Sequence, residues 1–416
     1  LKFLLAFLFS VVTLFASDAT IEIVKKVDSL PSLAIEDSST VDDGTFRMKF
    51  FKMLSSDLNV LSIFNVEKRY ATVSFDASSV LVENKDINYV LRYKIEDAIG
   101  GKYNIYVKMI SKDEVVFSKK YELNSQKIFM FSAHAIAYDI NEFMGEDSVE
   151  WIKRRVIFSK LVSAHNSQLV ISDYTLSYQH VIVSGGFNVF PKWANKEQNA
   201  FYYTSLDGAT PVLKHLDLKS SKITNIKAVD GMIICSDVSE DGSKLLLSMA
   251  PTGQPDVYEY DVKSKKYKQL TSFGGIDVNA QYMSDGKIAF VSDRMGNPNI
   301  FSLNPKTGSV EQMVYYGKNN STCSTHGNYL VYKSRESSEL FDQNTFNLHL
   351  MSTKTDAIRR LTAVGVNEFP RFSIDGDAII FIKNYQTQSS IGVIRVHHNK
   401  NFLFPLAKGK IQSLDW

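Results

Sequence analysis

The residues with chemical potential in this chain are few, and their spacing decides what they are for. Of the six Asp-Gly pairs in the chain, Asp241-Gly242, Asp285-Gly286 and Asp375-Gly376 recur at regular spacing. A carboxylate beside a glycine can belong to a calcium loop, but such a loop needs several oxygen ligands within about a dozen residues. Here each pair stands between two strand-like runs, the setting of a tight hairpin. Glycine takes the positive φ and aspartate bonds the local backbone. The eight histidines, at 134, 165, 180, 215, 326, 349, 397 and 398, are scattered. His397 and His398 are adjacent, yet consecutive strand residues face opposite sides and chelate poorly. His134 sits on an apolar-leaning helical stretch and reads as a packed or hinge residue. No Gly-x-Ser-x-Gly elbow, His-Glu-x-x-His, Cys-x-x-Cys or phosphate-binding loop occurs. No catalytic residue, metal ligand or cofactor is therefore expected.

What must position these residues is a repeat. An aromatic-then-turn signature recurs about 44 residues apart through the last two-thirds of the chain. Its copies are Trp193-Ala-Asn-Lys-Glu197, Val238-Ser-Glu-Asp-Gly242, Tyr282-Met-Ser-Asp-Gly286, Cys323-Ser-Thr-His-Gly327 and Phe372-Ser-Ile-Asp-Gly376, and Trp416 stands where a sixth would begin. That period, with four short strands per unit, marks a β-propeller. In each unit the aromatic strand ends at the turn, a second strand follows (244–249, 287–292, 378–383), then a third carrying Tyr or Phe (256–261, 299–303, 347–351), then a fourth ending near Leu-Thr. The first unit, 154–184, starts at its second strand, 156–159, and lacks an inner one. Residues 411–416 are an inner strand with no blade after it. An open ring would leave two strand edges exposed, so 411–416 are expected to complete the first blade and seal a six-bladed propeller.

Residues 20–148 do not repeat. Ile21-Glu-Ile-Val24 is a short strand signal. Phe46, Phe50, Met53 and Leu54 recur at helical spacing over about 43–58, with Asp42 or Asp43 to cap the start. Residues 88–96 alternate as a strand, and 103–110 and 115–123 are two more, joined by the hairpin Ser111-Lys-Asp-Glu114. Residues 126–144 form a second amphipathic helix, with Ile128, Phe131, Ala135, Tyr138 and Phe143 on its apolar side and Gly145 at its C-cap. Two helices on a small mixed sheet make an α+β domain ahead of the propeller, in a chain that is mostly β.

The first 17 residues hold one charge, Lys2, followed by an apolar run from Phe3 to Phe15 and then Ala16-Ser17. This is the pattern of a secretory signal peptide, cleaved after Ala16 or Ala19. The organisation expected is a signal peptide over 1–17, an α+β domain with an extended tail over 18–148, and a propeller over 149–416. With 47 basic and 45 acidic residues interleaved, the net charge is +2 and no phosphate-tracking stripe exists, so nucleic acid is a poor partner. Cys235 and Cys323 lie two repeat periods apart, on blades that are not neighbours, and are expected to be free, mostly buried thiols.

Three segments resemble the TolB family, the periplasmic component of the Tol-Pal system of Gram-negative envelopes. Ser292-Asp-Arg-Met-Gly-Asn-Pro-Asn-Ile-Phe301 is similar to a stretch of TolB-type blades. Ala133-His134, Asp139 and Gly145, followed by Arg155-Val-Ile-Phe-Ser159, resemble the family's linker helix and the start of its propeller. Ile21-Glu-Ile-Val-Lys25 resembles the short extended tail after the signal peptide. Cys323-Ser-Thr-His-Gly327 and Trp193-Ala-Asn-Lys-Glu197 depart from the Ser-Pro-Asp-Gly of better copies.

The resemblance implies a non-enzymatic periplasmic adaptor, a monomer that docks the lipoprotein Pal at one mouth of the propeller. Its N-terminal tail (Ile21, Glu22, Ile23, Val24, Lys25) would engage TolA, and the assembly would support outer-membrane integrity and cell division. The residues agree with such a role. Loops joining a fourth strand to the next inner strand gather at one end of a propeller. Here they offer Asn188, Asp230, Asp277, Asn279, Asn319, Asn320, Asn367, Glu368 and Lys410, a polar ring suited to a wet interface. The alternating tail can add to a partner's sheet edge or fold back, so Pal binding and tail release can be coupled. The alternative is a metal-dependent, sugar-lyase-like propeller enzyme in the periplasm, with an ion on His326, His349 or His397.

Overall fold

The hairpin chemistry read in the Asp-Gly pairs is what the blades are built on. The computed structural model describes residues 30–77, 87–338 and 341–416. Gly242, Gly286 and Gly376 have φ of 71°, 81° and 75°. Asp241 accepts hydrogen bonds from Ser239 Oγ and the Ser243 amide at 2.7 and 3.0 Å, so its carboxylate is spent on its own turn. Six four-stranded blades follow one another. Blade 2 is Asn188–Trp193, Ala200–Ser205, Val212–Asp217 and Lys222–Ala228. Blade 3 runs from Ile233–Val238 to Lys266–Gln269, blade 4 from Asp277–Tyr282 to Val310–Gln312, blade 5 from Lys318–His326 to Ile358–Arg360, and blade 6 from Val366–Phe372 to Lys400–Pro405. Blades 5 and 6 join into one eight-stranded sheet through a parallel bridge, Phe346 to Val366.

Blade 1 takes its strands from both ends of the propeller region. Lys410–Asp415 pairs antiparallel with Val156–Ser163, placing Leu414 opposite Phe158. Asn166–Ser172 and Gln179–Val183 complete that sheet.

The N-terminal layer is a six-stranded mixed sheet under two helices. Ser32–Asp37 pairs in parallel with Tyr89–Ala98 on one side and with two-residue strands at Asn65–Val66 and Ala71–Thr72 on the other. Lys102–Ser111 and Glu114–Leu123 extend it as an antiparallel meander. Lys112 and Asp113 both have positive φ, 49° and 64°, as a two-residue hairpin on right-twisted strands requires. Helix α1, Gly44–Leu61, starts where Asp43 Oδ1 accepts the Phe46 amide at 3.0 Å. Helix α2, Phe129–Phe143, follows one 3-10 turn, Gln126–Ile128.

The buried face of α2 differs from the expected one. Met130, Ala133, His134, Ile136, Ala137 and Ile140 are buried. Ile128, Phe131, Ala135 and Tyr138 are only partly covered, and Phe143 is 43% exposed. Three of those six are two alanines and a histidine, so the large apolar residues on the flank compete with the stripe as a periodic signal. A strand at Ser32–Asp37 was not expected either, because Glu36 and Asp37 break its apolar run. Both are fully buried against arginines: Glu36 lies 2.8 Å from Arg92 and Asp37 lies 2.9 Å from Arg47.

Residues 31–416 form one compact unit. Its largest core joins the two layers: Phe50, Leu58 and Ile136 of the helices share a cluster with Trp151 of the connecting 3-10 turn, Glu150–Lys153, and with Phe158, Tyr174, Ile380 and Leu414 of blades 1 and 6. The expected signal peptide and the tail residues Ile21 to Lys25 lie outside the described residues. No described helix is long and apolar enough to cross a membrane.

Candidate functional site: the propeller channel and its mouths

Every inner strand breaks its register part-way along. The shifts fall at Val189/Lys192, Cys235/Asp237, Val278/Gln281, Ser321/Ser324, Glu368/Arg371 and Ile411/Ser413. Phe190, Asn279, Thr322 and Phe369 take left-handed backbone there, with φ of 54°, 54°, 44° and 50°. A bulge re-aims side chains locally. The consequence is a channel with two chemistries. On one side of the bulges is a chamber of about 180 Å³ lined mainly by apolar side chains, among them Phe190, Met232, Val278 and Phe369. The Phe190 and Phe369 rings stand 6.3 Å apart.

Lys192 and Arg371 line both that chamber and a second cavity of about 240 Å³ reaching Arg154, Lys196, Glu240 and Trp416. Lys192 Nζ lies 3.0 Å from Asp415 Oδ1 and 3.3 Å from Asp237 Oδ1. Arg371 Nε is 3.8 Å from Asp415, and its Nη1 donates to the Cys323 carbonyl at 3.1 Å. Both carboxylates are also fixed by backbone: the Trp193 amide donates to Asp415 and the Tyr282 amide to Asp237, each at 2.9 Å. Burial pulls the Lys192 ammonium down, but Asp415 and Asp237 outweigh it and hold its pKa above the ordinary value. Two cations and two anions thus lie between the cavities. Sequence reading missed this cluster, since its members come from four separate strands. The one local signal was the Pro191-Lys192 and Pro370-Arg371 pairing, a cation directly after a proline in two inner strands.

The nine residues expected at the opposite mouth divide into two groups. Asn188, Asp277, Asn320 and Asn367 are not at the surface, with exposures of 2%, 0%, 1% and 0%. Three of them clasp the preceding loop: Asn188 Nδ2 donates to the Gly185 carbonyl at 2.8 Å, Asn320 Nδ2 to Tyr316 at 2.9 Å, and Asn367 Nδ2 to Val364 at 3.2 Å. Asp277 is held by Arg294 Nη2 at 2.9 Å. A buried polar group needs such partners, and these residues use theirs to shape the rim. Asn279 Oδ1 accepts the Cys323 amide at 2.9 Å and ties blade 4 to blade 5. Asp230 is exposed and accepts from Thr210 Oγ1 at 3.1 Å. Asn319 is half-buried. Glu368 and Lys410 come together on the wall of a cavity of about 920 Å³ that also takes in Tyr385 and Gln412. Glu368 there bonds Lys333 and Asn384 at 3.1 and 2.9 Å.

His134 is fully buried between the layers. Its Nδ1 lies 2.8 Å from Asp57 Oδ2 and its Nε2 lies 3.3 Å from Asp173 Oδ2. Tyr174 donates its hydroxyl to Asp57 Oδ1 at 2.5 Å. Burial disfavours the imidazolium, yet the two carboxylates reverse this and raise its pKa to about 9. A second knot lies nearby: Arg395 Nε to Asp377 Oδ2 at 2.7 Å, Trp151 Nε1 donating to the same oxygen at 3.0 Å, and Arg395 Nη1 donating to the α1 carbonyl of Val60 at 3.2 Å.

Both cysteines are buried thiols, and burial pushes Cys323 up to about 12 and Cys235 higher still. Among the described residues no three His, Cys, Asp or Glu side chains are grouped to hold a metal, so His326, His349 and His397 are not brought together.

A six-bladed ring sealed by its own C-terminal strand, with a charged channel and an α/β layer locked to one side, defines a two-layer β-propeller protein. Residues 151–416 match the model of the TolB beta propeller domain. The chain is 44% identical over 412 residues to the Tol-Pal system protein TolB of Wolinella succinogenes, covering 97% of each chain. It is 42% identical over 417 residues to the Tol-Pal system protein TolB of Campylobacter jejuni strain RM1221, covering 100% of each. The chain belongs to the TolB family. The crystal structure of TolB from Acinetobacter baumannii shares the fold, with a TM-score of 0.74 at 19% identity over 92% of this chain and 96% of that one.

Proposed function

We propose that this chain is a non-enzymatic periplasmic adaptor of the Tol-Pal system, docking Pal at the propeller mouth and TolA through its N-terminal tail. The observation that carries the reading is the mouth bearing Glu368 and Lys410, where a cavity of about 920 Å³ opens on a rim held by buried asparagines. A partner loop finds there a concave polar surface whose shape is set before binding, which lowers the ordering cost of association. Asp230, Asn279, Asn319, Glu368 and Lys410 are assigned to direct contact. Asn188, Asp277, Asn320 and Asn367 act by holding the loops. Ile21, Glu22, Ile23, Val24 and Lys25 supply a strand to TolA, and tail release is coupled to Pal binding.

The test is calorimetric titration of purified Pal into the wild-type chain and into the double charge reversal Glu368→Lys, Lys410→Glu. A loss of about tenfold in affinity is expected, and unchanged affinity would remove the mouth from the interface. A second titration, with residues 20–25 deleted, separates coupling from docking: equal affinity with and without the tail means the two are independent.

A further inference from the structure

Among the described residues, the longest unpaired strand edge belongs to the N-terminal sheet. Glu114–Leu123, ten residues, pairs with Lys102–Ser111 on one side and with no described strand on the other. The outer strands of the six blades have three to seven residues. A free edge is a template for another strand unless it is blunted. Blunting is partial here. A register shift at Met109/Ile110 bulges the strand at Val116 and leaves 117–123 as a regular ladder.

The two faces beside this edge differ in chemistry. On the helix side, Phe117 meets Phe143 of α2 with ring centroids 5.4 Å apart, and both rings are open enough to take a further apolar contact. Val115 and Val116, both exposed, continue this apolar surface. Lys119 and Tyr121 face the same way and are spent on Asp139, at 2.7 and 2.6 Å.

On the open face, Lys94, Tyr106 and Lys120 are cross-strand partners and stand in one row. Both ammoniums lie over the Tyr106 ring, at 5.1 and 5.6 Å, and Lys108 Nζ lies 4.5 Å from the centre of the Phe75 ring. Glu96 answers Lys94 at 2.7 Å. Glu122 stands opposite Asn104. Burial and the neighbouring Arg92 hold the Lys108 ammonium below its ordinary pKa, and Asp76 and Glu36 offset this only in part. The open face beside the edge is therefore short of negative charge.

These features select the occupant. A strand laid along 117–123 alternates its side chains between the two faces. Apolar side chains suit the Phe117 and Phe143 side, and carboxylates suit the Lys120 side. A second copy fits poorly, since edge-to-edge pairing would set two Lys119-Lys120 pairs in one short ladder.

We propose that this edge takes up an extended partner peptide of alternating apolar and acidic residues, added as a further strand along 117–123, its carboxylates at Lys120 and its apolar side chains at Phe117 and Phe143. Fluorescence anisotropy with the full chain at low salt compares labelled peptides of about six residues, the usual strand length. One alternates valine and glutamate, one alternates valine and lysine, and one is the valine–glutamate sequence with its backbone amides N-methylated. The first is expected to bind about tenfold or more tighter than the other two. Lys120→Glu, a change at an exposed position, is expected to cost it about tenfold and to turn the preference towards the valine–lysine peptide. Phe143→Ala is expected to weaken it about threefold and leave the charge preference as it is. The proposal is overturned if the N-methylated peptide binds as well as its parent, or if Lys120→Glu binds the valine–glutamate peptide as the wild type does. It is also overturned if the wild-type chain sediments as a dimer with the amides of 117–123 protected from hydrogen exchange, which gives the edge to a second copy.

Discussion

The indole of Trp416 meets that of Trp151 edge-on, with ring centroids 5.5 Å apart and planes at 78°. One is the last residue of the chain and the other stands at the start of the propeller, so the contact lies where the ring closes. Trp151 also touches Tyr174 at 5.3 Å and donates to Asp377, which makes it the common neighbour of blades 1 and 6. Closure is therefore both a strand pairing and an aromatic clasp.

Deleting residues 411–416 removes the inner strand of blade 1 and exposes Val156–Ser163 as an edge. The truncated protein is expected to lose its cooperative urea transition. Trp416→Ala keeps the strand and is expected to cost about 2 kcal/mol, less than a fully buried tryptophan because the ring is only partly covered. A truncated chain that melts like the full one would show that the ring holds without this strand.

His134 makes stability depend on alkaline pH. Its folded pKa, about 9, lies above the ordinary 6.5. The stabilisation is thus fully present below about 6.5 and is lost as pH rises through about 9, since the unfolded imidazole has already released its proton there. The unfolding free energy is expected to fall between pH 7 and 9, by on the order of 1 kcal/mol per pH unit. His134→Gln should flatten that limb. Equal slopes for the two proteins would mean that Asp57 and Asp173 do not hold a charged imidazole.

Arg395 and Asp377 are buried together, at 1% and 4% exposure. Arg395→Met leaves a buried carboxylate with only the Trp151 N–H, and is expected to cost about 3–5 kcal/mol. The double change Arg395→Met, Asp377→Leu should recover most of that loss. A double-mutant cycle in guanidinium measures the coupling, and additive losses would place the two side chains outside one network.

Neither thiol should react in the native state. Ellman's reagent is expected to label Cys235 and Cys323 only after denaturant is added, because both are buried and their thiolates are disfavoured. Rapid labelling without denaturant would mean that the channel wall opens at Cys235 or Cys323.

Much of this molecule is written in short-range chemistry. The Asp-Gly turns, the Asp43 cap and the Lys112-Asp113 hairpin depend on neighbours within a few residues, and the recurrence of the aromatic-then-turn signature set the six-fold count. Even the borrowed strand could be inferred, since a missing inner strand at one end and a spare one at the other have a single economical solution. The buried arc of α2 could not, because Ala133, Ala137 and His134 are weak apolar signals on their own. They are buried because the helix is pressed between α1 and the propeller.

The rim asparagines show the same limit. Asn188, Asn320 and Asn367 look like surface polar groups in the chain, yet a clasp on the carbonyl three or four residues back draws them inside. The order of residues alone determined a sealed propeller behind a small α/β layer, through periodicity and turn chemistry. Only the tertiary structure decided that Lys192, Asp237, Arg371 and Asp415 meet in the channel, and that His134 lies between Asp57 and Asp173. Those groups are brought together by blade closure and layer packing, which join positions that no local pattern connects.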